Sequence, residues 1–171
     1  MPTKISTLFS LLCVLVIVGF VNAQNSKLTR RTALSNLKLC TSDPRKDSSV
    51  CEDSAGFLEK LYETGDRALL TPLFNARLKS DGALSEALGP FYADVLLKHT
   101  TFFLTTLSRW PSRDQKVISM LAVSADGGGN PEPWNRRIKS RLRGFVAHNN
   151  GLAPTARILL RELDAFLVEN R

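Results

Sequence analysis

The chain has 171 residues, a formal net charge of +7, 43% hydrophobic and 23% charged residues. That length holds one domain with a proper core and is short for two, and the composition excludes a disordered chain. The charge is moderately basic, short of a histone-like tail, and favours anionic partners through long-range attraction while also keeping a protein in solution.

The N-terminus reads as an export signal. Lys4 gives a positive start, Leu8 to Val21 an apolar run, and Val21-Asn22-Ala23 the small residues at which a signal peptidase cuts. We expect a signal peptide over residues 1–23, cleaved after Ala23, and a single exported domain over 24–171, periplasmic or secreted. A retained anchor would want about 20 apolar residues, so no transmembrane span is expected in the mature chain. Cys13 follows Leu11 and Leu12 instead of small residues, which argues against a lipoprotein.

Removing the leader leaves two cysteines, Cys40 and Cys51. An even pair in an exported protein is expected to form a disulfide, here across a polar, turn-rich loop. A metal site at this pair lacks further ligands, because the two histidines, His99 and His148, lie far from it in sequence. No metal and no cofactor is expected.

In chain order, a first helix starts near Thr29 with Leu34, Leu37 and Leu39 on its apolar side and ends at Asp43-Pro44. A second starts near Cys51, carries Phe57, Leu58, Leu61 and Tyr62, and stops at Gly65. Asp66 is expected to cap a third with Leu69, Leu70, Leu73, Phe74 and Leu78. There Pro72 either bends the helix or marks a new start after a single turn, with Thr71 as cap. Ser80-Asp81-Gly82 turns the chain into Ala83–Leu107, the hub. Glu86, Pro90, Asp94 and Lys98 recur every four positions as one narrow polar stripe, and the other sides are apolar, which is the pattern of a helix packed against several neighbours. His99-Thr100-Thr101 breaks the hub, and a short helix follows to Trp110-Pro111. Ser112 and Gln115 form a capping-box pattern ahead of a helix with Val117, Ile118, Leu121 and Ala122. A glycine loop, Asp126–Asn130, leads to a helix capped by Asn130 with Pro131 at its first position, ending at Asn149-Asn150-Gly151. Pro154 opens the last helix, with Leu159, Leu163, Phe166 and Leu167 on its buried side. No segment alternates with period two. The fold is expected to be all-α, six to eight helices in a compact bundle or a short solenoid.

Two stretches resemble each other. Phe57-Leu58-x-x-Leu61 returns as Phe103-Leu104-x-x-Leu107, Gly65-Asp66-Arg67 as Pro111-Ser112-Arg113, and Asp81-Gly82 as Asp126-Gly127. This spacing resembles the helical hairpins of HEAT and armadillo repeats, which run about 40 to 47 residues, although a solenoid usually needs at least three units and only two are visible. The resemblance implies a binding scaffold without built-in chemistry.

The candidate binding surface is the stretch Trp134–Val146. Arg136, Arg137, Lys139, Arg141 and Arg143 lie around an apolar stripe of Trp134, Ile138, Leu142 and Phe145 or Val146, with no acid among them. Such a helix attracts phosphate, an anionic polysaccharide or an anionic lipid surface; the plain alternative is the solvated outer face of a core helix. The glycine loop lacks the alternating carboxylates of a calcium loop. No specific nucleic-acid motif, phosphate loop, dinucleotide fingerprint or zinc motif is present, and neither histidine accompanies a glycine-flanked serine. The reading is an exported binding or scaffold protein whose basic helix meets an anionic partner, either another protein or an anionic polymer or surface. The alternatives are a hydrolase-like enzyme with Glu86, Asp94 and His99 gathered from helix ends, and a structural envelope component. A pocket that collects those three residues would favour the enzyme.

Overall fold

The computed structural model describes residues 28–42, 48–80, 82–124, 131–148 and 151–169. The expected signal peptide, the Asp126–Asn130 loop and the Asn149-Asn150 stop lie outside the described residues. Eight α-helices and no strand are found among the described residues: α1 (Arg30–Cys40), α2 (Ser48–Glu63), a 3-10 turn (Arg67–Leu69), α3 (Leu70–Lys79), α4 (Gly82–Lys98), α5 (Thr100–Leu107), α6 (Ser112–Ser124), α7 (Pro131–Ala147) and α8 (Ala153–Glu169). The expected all-α class is the observed one, and none of these helices is long and apolar enough to cross a membrane.

Helix α4 is the hub. It touches α2, α3, α5, α6 and α7, and Leu84, Leu88, Phe91, Tyr92, Val95 and Leu96 are all buried while Glu86, Pro90 and Lys98 are exposed. The missing N–H of Pro90 thus falls on the wet edge, where the helix runs through it. A chain of ring contacts crosses the core around the hub: Tyr62 meets Phe91 at 5.2 Å and Phe74 meets Tyr92 at 5.3 Å, both near-perpendicular. Phe91 and Tyr92 join the two pairs, and Phe103 extends them into α5. Edge-to-face pairs of this kind add about 0.5–1.5 kcal/mol each beyond the area they bury.

Cys40 and Cys51 form a disulfide, with Cα atoms 5.8 Å apart, tying the end of α1 to the first turn of α2. Helix α2 begins at Ser48, three residues ahead of the expected start, so Cys51 sits inside the helix with its side chain in the core. Thr29 caps α1 by accepting from the Thr32 N–H at 3.2 Å. Gly65 ends α2 with φ 121°, a backbone region that favours glycine.

Three local expectations are corrected. Asp66 makes no side-chain cap; its carboxylate accepts from Arg30 Nε at 2.6 Å instead. Of the two readings at Pro72, a single 3-10 turn precedes a new start, but the helix begins at Leu70 and Thr71 is not its cap. Pro72 then lies in the first turn, where backbone N–H groups have no intrahelical partner to lose. Ser112 is the first residue of α6, not its cap, and Gln115 Nε2 donates to the Trp110 carbonyl at 2.7 Å. The capping-box spacing is present, but the glutamine is used to close the preceding turn.

The C-terminal helices complete the bundle. Helix α8 packs on α6 and α7, and α6 and α7 both return to α4. Ile138 and Leu142 of α7 and Ala156, Leu159 and Leu163 of α8 are buried, with Trp134, Phe145, Phe166 and Leu167 half-buried at the margins.

Candidate functional site

The five cations of α7 have separate structural situations. Arg141 donates through Nη1 to the Leu97 carbonyl, with Thr100 Oγ1 also within 3.4 Å. Leu97 lies in the last turn of α4, where carbonyls lack intrahelical donors, so Arg141 caps the hub. Lys139 pairs with Asp164 of α8, and Arg136 lies 3.7 Å from Glu132 one turn back. Arg137 and Arg143 are exposed and form no ion pair among the described residues.

Helical spacing sorts these groups onto two sides. Arg136 and Arg143 stand at i−3 and i+4 of Lys139, hence on the α8 side; Arg137 and His148 stand at i−4 and i+7 of Arg141, hence on the α4–α5 side. Across the seam, Arg157 and Arg161 stand at i−7 and i−3 of Asp164, so they share its side of α8. Both are exposed and neither forms an ion pair among the described residues. The Lys139–Asp164 contact fixes the register, and the short link between α7 and α8 makes the helices antiparallel neighbours. Arg136, Arg143, Arg157 and Arg161 therefore flank one seam. The sequence reading centred the basic site on α7 alone and missed the two α8 arginines, which four-residue spacing along Arg157-x-x-x-Arg161 could have flagged.

His148 ends α7 with Nδ1 2.6 Å from the Gly144 carbonyl, a helix-closing role. Beside it, Arg141, Gly144, Phe145 and His148 line a shallow hollow of about 260 Å³. A second, of about 400 Å³, reaches from Arg141 and Phe145 to Lys98 and the exposed Phe102.

The residues set apart for catalysis are only partly gathered. Asp94 and His99 line a common cavity of about 320 Å³ with Tyr62, Arg67 and Phe91, whereas Glu86 is exposed elsewhere on the hub and takes no part. Asp94 is held by Lys98 at 2.9 Å, and this hydrogen bond and charge raise the Lys98 pKa. Burial lowers the His99 pKa; the nearby Arg67 adds to the shift and Asp94 opposes it. Arg67 lies over the Tyr62 ring, its Cζ 4.5 Å from the centroid. Burial raises the Tyr62 pKa; Arg67 opposes that rise, first through its side-chain interaction with the phenol oxygen and then through its charge. With the guanidinium over the ring, the buried Tyr62 Oη makes no well-formed hydrogen bond, although Arg67 lies close enough to influence it. Sequence reasoning passed over Tyr62 and Arg67, the first placed on the apolar side of the second helix and the second noted only within the repeat match.

Among the described residues no group of three or more His, Cys, Asp and Glu is placed to hold a metal ion. Comparisons of the chain with protein-family models, with curated proteins and with solved structures find no match.

Proposed function

We propose that this is an exported binding or scaffold protein that meets an anionic partner with the arginine-flanked seam of α7 and α8. The observation that carries the reading is that Arg143, Arg157 and Arg161 are exposed and form no ion pair among the described residues. The two acids near the seam, Glu132 and Asp164, contact Arg136 and Lys139. Unpaired, solvated guanidinium groups keep their full charge for an approaching anion and suit bidentate recognition of carboxylate, sulfate or phosphate. The disulfide fits an oxidising compartment, and the leader reading supplies the route there. The likeness to helical-hairpin repeats supports a scaffold in place of an enzyme, as does the separation of Glu86 from Asp94 and His99.

The test is elution from a sulfated-polysaccharide resin. Reversal of Arg143, Arg157 and Arg161 to Glu is compared with reversal of Arg31, Lys38 and Arg109, three exposed cations on other parts of the surface. Both triple variants change the net charge equally, so non-specific ion exchange moves them equally. The seam variant is expected to elute at clearly lower salt; equal elution of the two would refute the seam as a site.

A further inference from the structure

We propose that the cavity beside the C-terminal end of α4 binds a small zwitterion, an α-amino acid with a compact apolar side chain. This site is separate from the α7–α8 seam and does not depend on it. Its volume of about 320 Å³ is at the small end of ligand cavities, a size suited to a free metabolite and not to a polymer.

The lining carries charges of both signs from three elements. Glu63 ends α2, Arg67 opens the 3-10 turn, and Asp94 and Lys98 belong to α4. Asp94 and Lys98 satisfy each other at 2.9 Å. Glu63 and Arg67 form no ion pair with each other, nor with any other described residue, although they line the same cavity. Two opposite charges held apart on one rim are what a molecule bearing both a carboxylate and an ammonium can bridge.

Arg67 is suited to the carboxylate end. Contact with the Tyr62 ring, the Arg67 Cζ 4.5 Å from the centroid, restrains the guanidinium, which lowers the entropy lost when the fork engages a carboxylate. Glu63, exposed and unpaired, is left for the ammonium. The apolar part of the ligand would rest against Phe91 and Val95, both in the core and both on the cavity wall. Burial and the Arg67 charge keep His99 toward its neutral form, so the imidazole does not unbalance the two positive and two negative groups. A lining without net charge gives little attraction to a simple anion or cation and favours a dipolar ligand.

The test is ligand-observed saturation-transfer NMR on the mature chain at pH 7.5, with L-leucine as probe. 4-Methylpentanoate, which lacks the amine, and isoamylamine, which lacks the carboxylate, serve as single-charge analogues. Leucine is expected to receive saturation and each analogue to bind at least about tenfold more weakly, as loss of one charge-assisted hydrogen-bonded group implies. E63Q and R67K are each expected to weaken leucine by a similar factor while the melting temperature holds; R67K keeps the charge and loses the planar guanidinium fork. Equal binding of either analogue would overturn the zwitterion assignment. No transfer to leucine at millimolar concentration, or unchanged binding in E63Q and R67K, would overturn the site.

Discussion

Replacing Tyr62 and Tyr92 separately by phenylalanine puts two equally buried phenol groups in direct contrast. Tyr62 is 1% exposed and Tyr92 fully buried, and both rings stand edge-on to a phenylalanine, at 5.2 Å and 5.3 Å. Phenylalanine keeps that ring packing, so each substitution reads the hydroxyl alone. Tyr92 Oη donates to the Leu73 carbonyl at 2.8 Å, and a neutral buried hydrogen bond contributes about 1 kcal/mol net. Tyr62 Oη makes no well-formed hydrogen bond and has only Arg67 nearby, and a poorly satisfied buried hydroxyl costs about 1–3 kcal/mol of desolvation. Y92F is therefore expected to destabilise by about 1 kcal/mol. Y62F is expected to be neutral or to stabilise by up to about 1 kcal/mol once local relaxation is allowed for. The measurement is the urea midpoint at unchanged m-value. A Y62F variant that loses as much stability as Y92F would show that the Tyr62 hydroxyl has a partner in solution and refute the argument.

The Glu59 carboxyl is pushed from 4.5 up to about 7 by burial, with Glu63 adding repulsion. The folded state then holds this proton more tightly, so the group's contribution falls as pH rises from about 4.5 to 7 and the full penalty stands above that window. His99, with its pKa lowered, gives the opposite slope, so the discriminating quantity is E59Q against the parent. E59Q should gain stability at pH 8 relative to pH 5, and parallel pH profiles would count against it. Replacing Cys40 and Cys51 by serine opens a loop closed across 11 residues and should cost about 3 kcal/mol in the chain-entropy model, seen as a lower urea midpoint. Thiol labelling of the mature protein before reduction would contradict the bridge. R141A should lower stability by about 1 kcal/mol through the lost cap on Leu97, whereas R143A should leave it unchanged; equal melting temperatures would remove the structural role assigned to Arg141.

The hub was legible because its pattern is dense: every fourth residue polar and nearly all others apolar is a signal that tertiary context has little room to override. The disulfide was legible because only two cysteines follow the leader. Pairings made by distant residues were not. Asp66 looked like a cap until Arg30 supplied a stronger, charge-assisted partner. Two of the cations on the basic helix meet another helix, through the Asp164 carboxylate and the Leu97 carbonyl, which no local window contains. For the same reason the cavity escaped the sequence, because Tyr62, Arg67 and Asp94 come together only when α2, the 3-10 turn and α4 have packed.

The position of α4 in the chain bears on how the protein acquires its structure. Its neighbours α2 and α3 precede it, while α5, α6 and α7 follow. A chain emerging from the N-terminus thus carries this largely apolar helix well before Ile118, Ala122, Ile138 and Leu142 exist to cover it. For that interval Leu88, Val95 and Leu96 are open to other chains, the situation in which large proteins aggregate and helper proteins are recruited. Cuts placed between α4 and α6 should yield fragments that remain insoluble alone and recover when both halves are produced together.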